Sequence, residues 1–187
     1  MPNDSSTGGY ILPAGSPAPL EDAALDALLQ GVVVGVTGLP GAMVRPRWQP
    51  TVPKQPEPAT NWCAIGVTNM DPDDYPVETH DGTGDGQDNY AVHETLIVLA
   101  SFYGPNSMSF AKIMRDGLYI AQNREQLTPQ GMTVTDVGKP VAAAEIVNQQ
   151  WIRRYDVAIR FRRKVERSYP ILNILSAPFE IGTDTHD

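Results

Sequence analysis

The residues best suited to chemistry lie in an acidic stretch that contains no lysine or arginine: Asp71, Asp73, Asp74, Glu78, Asp81, Asp85, Asp88 and Glu94. Clustered carboxylates can hold a hard cation such as calcium, and part of the stretch approaches that pattern. In Asp81-Gly82-Thr83-Gly84-Asp85-Gly86 the first, third, fifth and sixth positions of a calcium loop are matched. The twelfth position needs a bidentate glutamate and is Val92, and no helical pattern precedes the loop. The expectation is a solvated acidic loop rather than a metal site. Facing a channel, such a loop would repel DNA.

The other candidates for catalysis are weaker. His93-Glu94 lacks the second histidine of a zinc-protease helix, because four residues on stands Ile97, and the segment reads as strand. His80 sits in the acidic loop and His186 near the end of the chain, and neither is placed as a base. Cys63, between Trp62 and Ala64, reads as a buried small hydrophobe. No Gly-x-Ser-x-Gly elbow occurs, and Gly35 to Gly41 lacks the Gly-Lys-Ser/Thr of a phosphate loop. No catalytic residue, metal or cofactor is expected.

The counterpart of the acidic stretch is the run from Trp151 to Arg167. Arg153, Arg154, Arg160, Arg162, Arg163, Lys164 and Arg167 are seven of the 14 Lys and Arg in a chain of net charge −8. The run alternates: Tyr155, Val157, Ile159, Phe161 and Val165 share one face, Asp156, Ala158, Arg160, Arg162 and Lys164 the other. Period two predicts a long strand with one buried face and one charged face that needs partners. Arginine also neighbours aromatics in Arg45-Pro46-Arg47-Trp48 and in Trp151 with Arg153, the composition of interface hot spots. Arg45, Arg47, Trp48, Tyr103, Arg153, Arg154, Asp156, Arg160 and Arg162 are the candidate subunit interface. Asp71, Asp73, Asp74, Asp81, Asp85 and Asp88 are the candidate acidic interface or lumen loop. On residue types alone, subunit contact and ordinary solvated surface both remain open.

These segments must be positioned by a scaffold. Leu25, Leu28, Leu29 and Val32 recur at helical spacing and predict a helix from Glu21 to about Val34, with acid in its early turns. Met43–Trp48 reads as a short strand broken by Pro46, followed by an extended connector bearing Pro50, Pro53, Pro56 and Pro58. Trp62–Thr68 reads as a strand, 69–89 as the acidic loop, and His93–Tyr103 as a central strand with apolar residues on both faces. A main helix is predicted from Ser107 to about Glu125, capped by Asn106 or Ser107 and weakened by Gly117. Its buried stripe should hold Met108, Ala111, Ile113 or Met114, Leu118 and Ala121. Further strands are expected at Met132–Val137, over the charged run, at Ile171–Leu175 and at Phe179–Ile181. The sum is an α+β fold: a mainly antiparallel sheet packed with two helices and joined by long proline-rich loops.

At 187 residues a single domain is the default, and 21–182 is assigned to it, with 1–20 as an N-terminal arm and 183–187 as a tail. The Gly-, Pro- and Ser-rich arm is either flexible or ordered against a neighbouring subunit. A pI near 4.8 argues against a general nucleic-acid binder. With one cysteine no intramolecular disulfide forms. No apolar run is long enough to span a bilayer and no signal-peptide pattern opens the chain, so no membrane role is expected, and the setting is a reducing cytoplasm or a particle assembled there.

Several of the same segments carry a family likeness: Gly38-Leu39-Pro40-Gly41, Val44-Arg45-Pro46-Arg47-Trp48, Asn61-Trp62-Cys63-Ala64, His93-Glu94, Ser101-Phe102-Tyr103-Gly104-Pro105, Gln122-Asn123-Arg124-Glu125 and Trp151 to Asp156. In this order, over about residues 25 to 178, the chain resembles tailed-phage neck proteins, the tail terminators of contractile-tailed phages. The resemblance implies a non-enzymatic virion protein: a hexameric ring that caps the completed tail tube and sheath and meets the head-side connector. Its partners would be copies of itself and the tube, sheath and connector proteins, with DNA passing through unread. A different neck or tail component, such as a connector stopper or tube-associated protein, is the nearest alternative. A calcium-binding or small hydrolytic module using 71–94 is the alternative from another class.

Overall fold

The computed structural model of the chain describes residues 3–15, 18–51, 53–147 and 149–174. It forms two compact units, one of Met1–Ala18, Pro76–Ala91 and Glu166–Asp187, the other of Pro19–Tyr75 and Val92–Val165.

In the larger unit, helix α1 (Asp22–Thr37) buries Leu25, Leu29, Val32 and Val33. It runs past the expected end near Val34 to Thr37, where Val36 packs against the core and Thr37 is buried, and packing outweighs the lower helix propensity of β-branched residues. The Thr37 hydroxyl donates to the Val33 carbonyl at 2.6 Å, and the Gly38 amide closes the last turn on the Val34 carbonyl. Strand β1 (Val44–Pro46) pairs in parallel with β2 (Trp62–Pro72). Strand β2 is antiparallel to β4 (Gln87–Tyr103), and β9 (Arg154–Tyr169) lies on the other side of β4. Strand β5 (Met132–Val137) pairs antiparallel with β9, as does the short β6 (Val141–Ala142). A separate small hairpin joins β7 (Glu145–Val147) to β8 (Gln150–Ile152).

The sheet is two-faced, as the alternation of its strands requires. Cys63 and Ile65 on β2, Leu96, Val98, Ala100 and Phe102 on β4, and Val157, Ile159 and Phe161 on β9 join α1 in one core. Two strands shift register, at Val67/Asn69 and at Val134/Asp136. At both bulges a threonine bonds across to the neighbouring strand: Thr68 to the Ile97 carbonyl at 3.1 Å and Thr135 to the Arg160 carbonyl at 3.2 Å.

Helix α2 (Ser107–Gly117) is shorter than its predicted span, and the chain continues as a 3₁₀ stretch, Ala121–Gln130. Gly117 is where α2 comes against α1: a Cβ there would lie 2.6 Å from Cγ1 of Val36. The Gly117 carbonyl accepts from the Ile120 amide at 3.1 Å and from Nδ2 of the Asn123 side chain at 2.9 Å, which fixes the exit of the chain. Ala111, Met114 and Leu118 are buried, while Met108 and Ile113 are exposed, so Met114 rather than Ile113 belongs to the stripe.

The expected loop 69–89 is mostly strand. Strand β2 continues to Pro72 and β4 begins at Gln87. In the smaller unit β3 (Val77–Asp81) forms an antiparallel hairpin with residues 87–91 of β4. Side chains 77–80 are exposed, so this pairing is made by the main chain and leaves no apolar alternation to read. The described part of the N-terminal arm bonds to its own chain: the Ser5 amide donates to the Pro170 carbonyl at 3.2 Å and the Ala14 amide to the Ser168 carbonyl at 2.7 Å. Residues 171–174 are not in a strand. Leu175, the expected strand Phe179–Ile181 and the tail 183–187 lie outside the described residues.

One side chain breaks the apolar rule of β9. Arg163 shares the core face with Phe161 and Val165 and is only 4% exposed. Its Nε donates to Glu94 at 2.5 Å and its Nη1 to the Leu20 carbonyl, so it ties β9 to β4 and to the approach of α1. Removing one partner of such a pair strands the other charge. We expect Arg163→Ala to cost about 3–5 kcal/mol in denaturant unfolding, and Arg163→Met with Glu94→Leu to recover most of that loss.

Candidate interaction surface

The face of the sheet turned away from α1 carries the residues singled out above. Trp62 on β2 is the cross-strand neighbour of Tyr103 on β4. Their rings stack with centroids 4.2 Å apart and planes 6° from parallel. Each end of the stack meets a guanidinium, Arg45 at 5.9 Å over Trp62 and Arg154 at 5.5 Å over Tyr103. Tyr103 is buried in this stack, and its hydroxyl is raised above its ordinary value chiefly by that burial.

Arg154 is held on several sides. It binds Asp156 bidentately, Nε to Oδ1 and Nη2 to Oδ2, both at 2.8 Å, and reaches Glu145 at 3.7 Å. Its pKa rises because the Asp156 carboxylate stabilises the charged form. The Ser101 hydroxyl accepts from Arg154 at 3.3 Å and from Arg47 at 2.6 Å, so one buried oxygen joins both guanidiniums. Arg47 lies against β2 because Gly66 offers only hydrogen there; a Cβ at Gly66 would sit 3.0 Å from Cβ of Arg47. Trp48 donates to the Val67 carbonyl at 3.3 Å yet stays 67% exposed.

Toward the other end of β9, Arg162 binds Asp73 at 2.6 Å within the chain. Arg153 and Arg160 are exposed, and neither makes an ion pair with a described residue. Asp71, at the end of β2, and Asp74, in the turn that follows beside the exposed Tyr75, are likewise exposed. The charged face is therefore partly neutralised in place: Arg154 and Arg162 have partners in their own chain, while Arg160 stays exposed on it and Arg153 is exposed beside the start of α2.

Asp81, Asp85 and Asp88 lie in the smaller unit, around the β3–β4 hairpin. Asp81 accepts from the Thr83 amide and hydroxyl at 3.0 and 2.8 Å, which lowers its pKa and shapes the turn. The Asp85 carbonyl accepts from the Asn173 amide at 2.9 Å. Asn173 Nδ2 donates to the Gly82 and Gly84 carbonyls, which turns its Oδ1 toward His80 Nε2 at 2.9 Å. The other ring nitrogen of His80 meets Asp88 at 2.6 Å. Both ring nitrogens thus face acceptors, an arrangement that only the imidazolium satisfies fully. Among the described residues no group of three or more His, Cys, Asp and Glu is arranged to hold a metal ion. Burial pushes the thiol of Cys63 far up, so it is not a nucleophile at neutral pH.

Sequence reasoning missed the burial of Arg163, the part of Glu145 and the His80–Asn173 clasp. For Arg163 the signal was present, since it falls in phase with Phe161 and Val165. For Asn173, distant in sequence from His80, none was.

The fold and this surface define an α+β scaffold whose charged side chains bind one another and face outward around a stacked aromatic pair. Over residues 23–185 the chain matches the model of the phage neck terminator protein family, and it belongs to that family. It is a structural component of the virion neck and works with other head and tail components. No curated protein matches the chain. No helix among the described residues is long and apolar enough to cross a membrane.

The clasp gives a pH prediction. The His80 pKa is raised, first by the bond to Asp88 and then by the one to Asn173. Its contribution is therefore fully present below the unfolded value of about 6.5 and is lost as pH rises through the higher folded value. Proton NMR should show His80 titrating above a free imidazole, with the Asn173 amide losing protection over the same range after correction for intrinsic exchange. Titration at or below the free value contradicts the clasp.

Proposed function

We propose that this neck terminator is a hexameric ring that caps the completed tail tube and sheath and joins them to the head-side connector, leaving a channel for DNA. The single observation that carries the reading is the two-faced sheet. One face is closed by α1, and the other presents exposed Arg160 and Trp48 together with a rigid aromatic stack. Rigid aromatics beside arginine suit a protein contact, and repeated head-to-tail contacts close into a ring when the rotation per subunit allows it.

The net charge of −8 supports passage of DNA without retention, since a surface lacking a broad basic footprint gives phosphates little to hold. Catalysis has no part in this role. Contacts through the exposed arginines should weaken with salt, because exposed charges are screened over about 8–10 Å at physiological ionic strength.

Native mass measurement of the purified chain should give six times the chain mass. Arg160→Glu should weaken association by about tenfold, because the outward charge is reversed without breaking an ion pair of the fold. A monomer at every concentration tested, or a ring indifferent to Arg160→Glu, would count against the respective parts of this reading.

A further inference from the structure

At the start of α2 a cleft of about 470 Å³ is lined by Pro105, Asn106, Ser107, Met108, Arg153 and Tyr155, among others. That volume falls within the range of sites that receive a side chain or small ligand. Three features of the cleft favour an anion. The helix is uncapped: Asn106 makes no side-chain cap bond, and the amides of Met108 and Ser109 have no partner among the described residues. Ser107 is fully buried, and its hydroxyl also has no partner there. Arg153 is exposed on the rim, unpaired among the described residues. Helix-end amides, an unused hydroxyl and a free guanidinium together suit a carboxylate, while Pro105, Met108 and Tyr155 give the cleft apolar walls.

The same chain carries a segment of matching chemistry. The segment Asp71-Pro72-Asp73-Asp74-Tyr75, where β2 ends and the chain turns, is exposed throughout, and Tyr75 is 90% exposed. Asp71 and Asp74 have no ion-pair partner among the described residues, while Asp73 is already bound to Arg162. An aspartate followed by an unsupported tyrosine offers what the cleft accepts: a carboxylate for the helix end and Arg153, and an aromatic ring for the apolar wall.

We propose that the turn 71–75 of one copy docks in the α2 cleft of the next, with Asp74 facing Arg153 and the helix end. The contact is head-to-tail, using different patches on the two copies, so it propagates around a closed ring. It deepens the ring reading and rests on it.

The test is a charge swap on the full chain. Arg153→Glu and Asp74→Arg should each weaken association by about tenfold or more, and the double variant should restore it to near wild type. Both positions are exposed, so matched circular dichroism and unfolding midpoints are expected for all variants. A wild-type oligomer that ignores both single changes overturns the contact and leaves the ring standing. Single losses without rescue in the double variant overturn the Asp74–Arg153 pairing. A wild type that is monomeric at every concentration removes the ring and the contact together. Inorganic phosphate that occupies the cleft, seen as shifts of the Met108 and Ser109 amides, without displacing the neighbouring copy also overturns it.

Discussion

The burial of one face of the sheet under α1 is the constraint on which the rest of the structure depends. Leu29 and Val33 on the helix, and Val98, Phe102, Ile159 and Phe161 on the strands, are all fully buried in one core. Because side chains alternate along a strand, fixing that face fixes the other, and a slip of one residue would turn the arginines of β9 inward. Polar groups therefore collect on the outer face, where the Trp62–Tyr103 stack and the Arg154–Asp156 pair lock their positions. Arg163 is tolerated on the inner face because Glu94 and the Leu20 carbonyl satisfy it.

Charge segregation in this chain has two destinations. Some of the basic strand is answered at home, Arg162 by Asp73 and Arg154 by Asp156 and Glu145. Those pairs hold the outer face in one shape and leave less charge for a partner than the composition suggests. What remains exposed is sparse: Arg153 beside the start of α2, Arg160 in mid-strand, and residues 71–75 at the end of β2 and the turn that follows. A few well-placed charges on a rigid face fix orientation between subunits better than a broad charged patch would.

The elements with strong periodicity were legible in the sequence. The apolar spacing of Leu25, Leu29 and Val32 marked α1, and the alternation from Tyr155 to Val165 marked β9. The family resemblance agreed with the match over residues 23–185. What was illegible had physical reasons. The hairpin around Thr79 and Asn89 is polar on its exposed side chains, so only main-chain pairing reveals it. Helix α2 ends at Gly117, which the sequence marked as a weak point, but the close approach of Val36 that leaves no room for a Cβ there is encoded by no local pattern. At the candidate surface, residue types pointed to Arg45, Arg47 and Trp48, but the stack that binds Arg45 to Arg154 through Trp62 and Tyr103 needed coordinates.

Oxidative side-chain footprinting of the free and assembled chain tests most directly the claim that the outer sheet face is the assembly surface. Trp48, 67% exposed on that face, should lose most of its reactivity on assembly. Undiminished reactivity of Trp48 in the assembled particle would contradict the account.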